Sequence, residues 1–280
     1  MIENKLSTSD SIKRQLNILR ATVFTTYKEW AAYRSHMAVS VLVGPVFFLV
    51  QVFIWSAIYS TQETVTGLTL NQMLTYYGIV AVINYITYDN SDMDLQMLIR
   101  TGKFITFMLR PISYFYYAIC QKIGHRLLAL WVEFIPVYLL FLFVFKINLV
   151  PQNLFWALTS ITLSFILVFL TNYCIGITGF WLTKTEGLRR AFQVLRDVCA
   201  GTLVPLTLFP GFMQKILFFM PFQFITYVPI RVFIGSYELA GVHMSIPEIV
   251  ALQAVFVVIM FIVYRLLWHF GTKRFTGVGA

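Results

Sequence analysis

Charged residues are scarce in this sequence, and the scarcity argues against a soluble fold. Of 280 residues, only 12% are charged and 59% are hydrophobic, and the mean hydropathy is +0.75. A soluble domain of this length leaves too much surface in water to hide so many apolar side chains. Lipid is the alternative solvent, so the composition predicts an all-α, polytopic membrane protein.

Catalytic motifs are missing as well. The sequence contains no G-x-x-x-x-G-K-[ST] phosphate loop, no H-E-x-x-H and no G-x-S-x-G, which excludes the ATPase and hydrolase sites built on those motifs. The three cysteines, Cys120, Cys174 and Cys199, have no metal-ligand spacing, and the four histidines are isolated. We therefore predict that this chain is not an enzyme and binds no cofactor or metal of its own.

Six apolar stretches are long enough to cross a hydrocarbon core of about 30 Å, which takes roughly 20 residues. These predicted spans are residues 37–59, 68–88, 127–145, 154–182, 191–208 and 246–268.

The apolar residues Leu16, Leu19, Val23, Tyr27 and Trp30 recur earlier at three- and four-residue steps. They predict an amphipathic helix within residues 1–36 at the inner membrane interface, against membrane lipid. A cytosolic helix packed on a partner would show the same pattern. Residues 37–280 then form the transmembrane domain.

The distribution of basic residues sets the orientation, because Lys and Arg accumulate in cytoplasmic loops. With both termini cytoplasmic, only Lys146, Lys215 and Arg231 of the 21 Lys and Arg residues fall on the outer side. The opposite orientation would reverse that ratio. The net charge of +9 is thereby explained by topology, and no nucleic-acid partner is expected.

The outer segment 209–235 is apolar but broken by Pro210, Pro221 and Pro229. Proline in a helix interior costs about 3 kcal/mol. We therefore predict short re-entrant or interfacial helices here rather than another continuous span. Pro210, Pro221 and Phe218 are the predicted gate residues of this segment.

The inner loop 89–126 is too apolar for a solvated loop. Acidic residues at its start are followed by apolar and basic side chains, which predicts a short amphipathic helix. We expect this helix to dock in a groove on a partner, and a helix lying on the bilayer is the alternative. The predicted contact residues are Met97, Arg100, Gly102, Phe104, Phe107, Arg110 and Pro111.

Polar and aromatic side chains at span depth are candidates for a transport pathway, since such groups face away from lipid. The candidates are Tyr76, Tyr77, Asn84, Tyr85 and Glu133. Glu133 also fits a structural role if its carboxylate reaches the inner interface. Arg196 and Asp197 are expected to pair with a neighbouring helix rather than with each other, because adjacent helical residues point about 100° apart.

Several stretches, taken in order, resemble the permeases of ABC type-2 exporters, and within them one bacterial subfamily. The stretches are Ala32-Tyr33-Arg34 with Trp55, residues 99–102 through 109–113, Phe180-Trp181 with residues 201–206 and Phe209-Pro210, and Pro221-Phe222-Gln223 through Pro229 and Gly235. The resemblance runs over nearly the whole chain, and it rests on the order and spacing of the stretches.

The resemblance implies a permease that works as a dimer in the bacterial inner membrane, either with itself or with a paralogue. Each permease would rest on a separate ATP-binding cassette subunit that holds ATP and Mg²⁺. The inner loop would be the coupling helix, and the outer segment would be re-entrant helices that close the exit side. Exported substrates of this class include drug-like molecules, peptides, lipids and glycans.

Two other classes stay open at this point. An ion-coupled secondary carrier needs an ion-coupling site and commonly has an internal repeat, and neither is visible. A membrane-embedded lipid-modifying enzyme needs acid, base or metal residues that converge near the interface. A neighbouring gene for an ATP-binding cassette protein would separate the transporter from both.

Overall fold

The computed structural model of the protein describes residues 8–32, 40–65, 67–110, 112–147, 149–182 and 184–275, and they are mostly helical. Helices α1 to α11 run, in order, over Thr8–Ala32, Val43–Tyr59, Leu70–Thr87, Ser91–Arg100, Ile105–Met108, Tyr114–Phe143, Leu154–Phe180, Glu186–Cys199, Gly211–Phe218, Tyr227–Ile234 and Ile246–Thr272. Turns of 3₁₀ helix lie at Leu206–Leu208 and Pro221–Phe224, and the last three residues of α7 are also 3₁₀. Strands β1 (Tyr237–Leu239) and β2 (Val242–Met244) form an antiparallel hairpin.

Three of the described helices, α6, α7 and α11, are long and apolar enough to cross a membrane, and α2 is a shorter apolar helix. Helices α7 and α11 confirm the helices predicted at 154–182 and 246–268. Helix α3 has 18 residues, but the polar side chains of Asn71, Gln72 and Asn84 reduce its apolar character. Residues 37–39 of the first predicted span lie outside the described residues.

The third predicted span differs from the structure at its start. Helix α6 begins at Tyr114 rather than near residue 127, so its first half belongs to the predicted inner loop. A π-helical turn at Leu130–Phe134 interrupts it just before Pro136. Because proline lacks an N–H and its ring clashes with the preceding turn, the wider π turn accommodates it within one continuous helix.

The fifth predicted span is not one helix over 191–208. Helix α8 starts earlier, at Glu186, and ends at Cys199. The chain then turns at Gly201, whose φ is +81°, and a Cβ there would lie 2.9 Å from the Tyr76 hydroxyl. Glycine is therefore the residue that fits this turn. Hydropathy did not indicate the break, because the residues directly beside it, 198–200 and 203–206, contain no charged or polar side chain.

Helix α7 is the centre of the fold, since α3, α4, α10 and α11 all pack on it. Its C-terminal half is buried against a cluster that includes Leu95 and Tyr264, while its N-terminal half joins the larger cluster around Met73 and Phe141. Burial of one large apolar side chain contributes about 1.5–3 kcal/mol. Helix α7 thus combines extensive apolar packing with buried polar side chains, namely Ser160, Ser164, Thr171 and Asn172.

The outer segment consists of short elements whose prolines stand at helix starts. Pro210 precedes α9, Pro221 opens a 3₁₀ turn and Pro229 lies in the first turn of α10, where a missing N–H costs least. Two buried backbone carbonyl groups between these elements accept hydrogen bonds from long helices. Gln253 Nε2 donates to the Phe224 carbonyl at 2.9 Å, and the Ser164 hydroxyl donates to the Ile225 carbonyl.

The amphipathic helix predicted within residues 1–36 is present as α1, and it packs on α6. Thr26 is buried in this contact, and the Trp30 ring lies 4.0 Å from the His125 ring, centroid to centroid. Leu16 and Tyr27 of the predicted stripe are exposed. One face of α1 therefore covers α6, and its position at the membrane interface stays a prediction.

Candidate coupling and pathway sites

The predicted inner helix is present as α4 and carries the charges that suit its dipole. Asp92 and Asp94 lie in its first turn and Arg100 in its last, next to the positive and negative ends respectively. Gly102, with φ +69°, follows the helix end in the left-handed conformation that terminates helices. Pro111, one of the predicted contact residues, lies outside the described residues.

Phe104 was predicted to face a partner, and the structure corrects this. Its side chain is only 2% exposed and packs edge-on against aromatic rings that include Phe180, Trp268 and Phe275. Phe107 is half-buried, with its ring 4.9 Å from that of Tyr114. The hydrophobic pattern identified both residues as anchors, but their groove is formed by the same chain.

A different set of apolar side chains remains exposed on this segment, which we call the inner apolar patch. It consists of Met97, Ile105, Met108 and Leu109, with exposed fractions of 58%, 47%, 56% and 83%. Basic side chains flank the patch. Arg110 lies over the Phe107 ring at 4.8 Å. Arg100 Nη1 lies 3.8 Å from Glu186 Oε1 in a solvent-exposed pair, which contributes little to stability.

The start of α4 is fixed to two long helices by a buried polar network. Asp89 Oδ2 accepts hydrogen bonds from the Ser91 N–H at 3.0 Å, the Ser91 hydroxyl at 2.5 Å and Asn172 Nδ2 at 3.0 Å. Lys122 Nζ lies 3.9 Å from Asp89 Oδ1 and 2.6 Å from Asp94 Oδ2. Since Lys122 belongs to α6 and Asn172 to α7, the network ties the inner segment to both.

Arginines of α8 extend this network to a further helix. Arg196 Nη1 donates to Asn172 Oδ1 at 2.8 Å, and Arg189 Nη1 lies 3.9 Å from Asp92 Oδ2. The expected pairing with a neighbouring helix is thus confirmed for Arg196. The expectation that it avoids Asp197 is wrong, because Arg196 Nε donates to Asp197 Oδ1 at 3.2 Å. The long arginine side chain folds back far enough to overcome the 100° separation.

Burial dominates the electrostatics of the acidic members of the network. It raises the pKa of Asp89, although Lys122 and three hydrogen-bond donors act in the opposite direction. Burial also raises the pKa of Asp92, against the influence of its backbone bond and of Arg189. Loss of solvation disfavours the charged carboxylate, so the folded protein holds these two protons more tightly than the unfolded chain does.

The pathway candidates Tyr76 and Tyr77 are buried within the chain. The Tyr76 hydroxyl donates to the Gly201 carbonyl at 2.6 Å, and the Tyr77 hydroxyl donates to the Leu203 carbonyl at 2.9 Å. Both therefore satisfy the backbone of the turn that follows α8. Their positions hold α3 to that turn.

The candidates Tyr85 and Glu133 converge at the start of the first span. The Tyr85 hydroxyl accepts a bond from the Gly44 N–H at 2.8 Å, and a Glu133 oxygen accepts one from the Ser40 hydroxyl at 2.5 Å. Glu133 is buried within the π turn of α6. Asn84, in contrast, is exposed, so the structure separates it from the other candidates.

The predicted gate residues lie at the surface of the outer segment. Pro210 is exposed, while Pro221 and Phe218 are half-buried. The exposed apolar residues on and directly after α9 are Phe212 (66%), Ile216 (54%), Phe219 (76%) and Met220 (38%). The segment thus presents an apolar surface of its own at α9, whereas α10 is almost completely buried.

Sequence reasoning did not single out Asn172 or Gln253, which the structure places in the interior. Gln253 Oε1 accepts from the Ser160 hydroxyl at 2.8 Å, and its Nε2 donates to the Ser160 carbonyl at 3.0 Å. The available signal was an amide side chain inside an otherwise apolar stretch, which requires a partner in a low-dielectric setting. Within the described ranges, no group of three or more His, Cys, Asp or Glu side chains could hold a metal ion.

A family model described as "ABC-2 family transporter protein" matches residues 46–279. No curated protein matches the chain, and no solved structure does. The matched region includes the inner apolar patch, the polar network and the whole outer segment.

Proposed function

Because the chain belongs to the ABC-2 family of transporter proteins, we propose that it is the permease subunit of an ATP-driven exporter in the bacterial inner membrane. A separate ATP-binding cassette subunit would bind ATP and Mg²⁺ and hydrolyse the nucleotide, since this sequence has no phosphate loop. A second permease, identical or paralogous, would complete the transporter. The observation that carries this proposal is the inner apolar patch on a segment fixed to three helices.

Contacts along α7 support a topology with the inner and outer segments on opposite sides. The Gln152 N–H, just before α7, donates to the Phe233 carbonyl of α10 at 3.1 Å. Near the other end, Gln96 of α4 donates to the Ile175 carbonyl at 3.0 Å. At 1.5 Å per residue these points are roughly 35 Å apart along the helix, enough to separate the two faces of a bilayer.

The same contacts support a re-entrant outer segment. Phe233 bonds at the level of Gln152, whereas Ile225 bonds to Ser164, three turns further along α7. The chain before α10 therefore extends roughly 15 Å along α7 from its outer end. Non-helical backbone at that depth requires shielding and hydrogen-bond partners from protein, and Gln253 and Ser164 supply both.

In the proposed topology the chain would cross the membrane six times, through α2, α3, α6, α7, α8 with the turn after it, and α11. Helix α8 has no fully buried residue and exposes Leu188, Val194 and Leu195. In a dimer, a second permease would cover this apolar face. The charged face of α8 is already engaged by the polar network.

The cassette subunit would dock on the inner apolar patch. Apolar anchors of this kind insert into a groove on the partner, and the basic side chains of Arg100 and Arg110 would lie at the rim. Motion of the cassette would then reach α6, α7 and α8 through Asp89, Asn172 and Arg196, because those groups fix the start of α4 to all three helices.

The test is co-purification. Tagged full-length wild type and variants are purified from the native membrane, and the amount of ATP-hydrolysing subunit recovered with each is compared. Met97→Ser with Leu109→Ser should lower the amount of co-purifying ATPase at least tenfold, since loss of an interface anchor costs about 1–2 kcal/mol and 1.4 kcal/mol is a factor of ten. Val242→Ser, at an exposed site on β2, is the matched control. Wild-type recovery with the double variant, or no ATPase with the wild type, would contradict the proposal.

A second comparison separates docking from folding. Because Met97 and Leu109 are exposed, their substitution should leave the thermal midpoint of the permease unchanged. Phe104→Ala should instead lower that midpoint, because truncation of a buried phenylalanine costs about 3–5 kcal/mol. The two phenotypes can be read from the same purified samples.

A further inference from the structure

We propose that a cavity between α3, α10 and the turn after α8 binds an anionic phosphate or carboxylate group, with Arg231 as its cation. The cavity has a volume of about 150 Å³ and is lined by residues that include Tyr76, Thr207, Tyr227, Arg231 and Glu238. The proposal rests on the proposed function for its place on the outer side of the membrane. Because one water occupies about 30 Å³, the volume accommodates a group the size of a phosphate.

Two of the residues that line this cavity each carry a buried polar atom without a protein partner. Among the described residues, four buried side-chain nitrogen or oxygen atoms make no hydrogen bond, and two of the four are Arg231 Nε and Thr207 Oγ1. Buried polar groups are satisfied in the large majority of cases. A guanidinium N–H and a hydroxyl without a protein partner, on two residues that line one cavity, are therefore the donors that we assign to the ligand.

The other polar groups at the cavity are engaged within the protein. The Tyr76 hydroxyl donates to the Gly201 carbonyl, and the Tyr227 hydroxyl donates to the Glu238 carbonyl, each at 2.6 Å. These two phenols thus direct their hydrogens away from a ligand. Their rings form apolar walls of the cavity. Arg231 and Thr207 are therefore the residues that would determine which ligand binds.

Arg231 has no carboxylate partner in the described part of the chain. Its Nη2 donates only to the exposed Ser236 hydroxyl, at 3.3 Å. Glu238 lies at the same cavity, but its side chain is 54% exposed and its Oε1 is 3.5 Å from His243 Nε2. Glu238 is therefore oriented to the hairpin and to solvent, and the charge of Arg231 is left for an external anion.

A guanidinium selects oxyanions by shape as well as charge. Its planar array of N–H groups matches two oxygens of a phosphate or a carboxylate, which an ammonium group cannot do. Two sources offer such a group on the outer side of a membrane: the headgroup of an anionic phospholipid, and a soluble organic or inorganic anion. The shared chemistry is an oxyanion held by Arg231 Nε and the Thr207 hydroxyl.

The experiment measures anion binding by the purified full-length permease together with any subunits that co-purify. Native mass spectrometry counts phosphatidylglycerol retained after reconstitution in vesicles of phosphatidylcholine and phosphatidylglycerol. Thermal unfolding in sodium phosphate, compared with chloride at equal ionic strength, detects a soluble anion. Arg231→Gln should abolish one of these signals, with at least a tenfold loss of retained lipid or loss of the phosphate-dependent shift.

Lys215→Gln is the matched control, because Lys215 is an exposed cation on α9 that does not line the cavity. It should leave both signals at the wild-type level. Arg231→Lys should bind less anion than the wild type and more than Arg231→Gln, since it keeps the positive charge but loses the planar array of guanidinium N–H groups. Thr207→Val removes the second donor at nearly constant volume and covers the case in which Arg231→Gln does not fold.

Loss of lipid retention alone identifies a phospholipid headgroup, and loss of the phosphate shift alone identifies a soluble anion. Equal losses in Arg231→Gln and Lys215→Gln would overturn the site in favour of general surface charge, as would no loss in Arg231→Gln and Thr207→Val. None of these readouts requires the ATPase. A permease that binds the anion but recovers no ATPase would refute the proposed function and leave the site standing.

Discussion

Asn172 is the residue at which the buried polar network can be tested most directly. Its Nδ2 donates to the Asp89 carbonyl at 2.9 Å and to Asp89 Oδ2 at 3.0 Å, and its Oδ1 accepts from Arg196 at 2.8 Å. Asn172→Leu keeps the volume of the side chain and removes all three bonds. Two of them involve charged groups that are largely buried, so their loss should destabilise the permease.

The expected loss of stability depends on which hydrogen bonds Asp89 and Arg196 keep after the substitution. Hydrogen bonds to charged groups contribute about 1.5–3 kcal/mol in soluble proteins, but interhelical bonds in membrane proteins average about 0.6 and reach about 1.7 kcal/mol. Asp89 keeps its two bonds from Ser91, and Arg196 keeps its contact with Asp197. We therefore expect a loss of about 2 kcal/mol, roughly thirtyfold in the folding equilibrium.

The assay is reversible unfolding in mixed detergent micelles, monitored by intrinsic fluorescence. Asn84→Leu is the control, because it makes the same substitution at an exposed asparagine of α3. A double-mutant cycle with Arg196→Gln should give a coupling energy of at least about 0.5 kcal/mol, as expected for directly bonded residues. If Asn172→Leu and Asn84→Leu unfold at the same detergent concentration, the network does not hold these helices together.

Three further outcomes are expected. Burial raises the pKa of Asp89, so the folded state gains stability as pH falls from neutral through that pKa, and Asp89→Asn should lack this gain in pH-dependent unfolding; parallel pH profiles would contradict it. Gln253→Leu should increase proteolysis of the outer segment, because the carbonyl before α10 loses its donor; unchanged cleavage would show that packing alone holds it. In a cysteine-free background, Thr64→Cys should react with a membrane-impermeant thiol reagent in intact cells and Met93→Cys should not; the reverse pattern would invert the topology.

Helix positions were largely available from the sequence, because hydropathy is summed along consecutive residues. The stretches that became α7 and α11 are apolar for more than 20 residues, and the prolines of the outer segment each fell at the start of a short element. The inner helix was likewise indicated by its apolar and basic side chains. These features depend on residues that are close together in the sequence, so they can be predicted without knowledge of the fold.

The helix boundaries that depend on tertiary contacts could not be predicted from the sequence. The break after α8 depends on Gly201 meeting the Tyr76 hydroxyl of another helix, which is a contact between residues distant in the sequence. The early start of α6 was hidden by polar residues such as Lys122, which are tolerated there because Asp89 and Asp94 lie opposite.

Composition and hydropathy by themselves identified a membrane protein, because both are properties of the sequence that need no information about distant contacts. Only the tertiary structure decided which apolar side chains are exposed and which are buried. Phe104 and Leu109 are equally apolar in the sequence, yet one is 2% exposed and the other 83%. The difference arises because α7 and α11 bring Phe180 and Trp268 around Phe104, and burial is a property of the three-dimensional neighbourhood rather than of the residue.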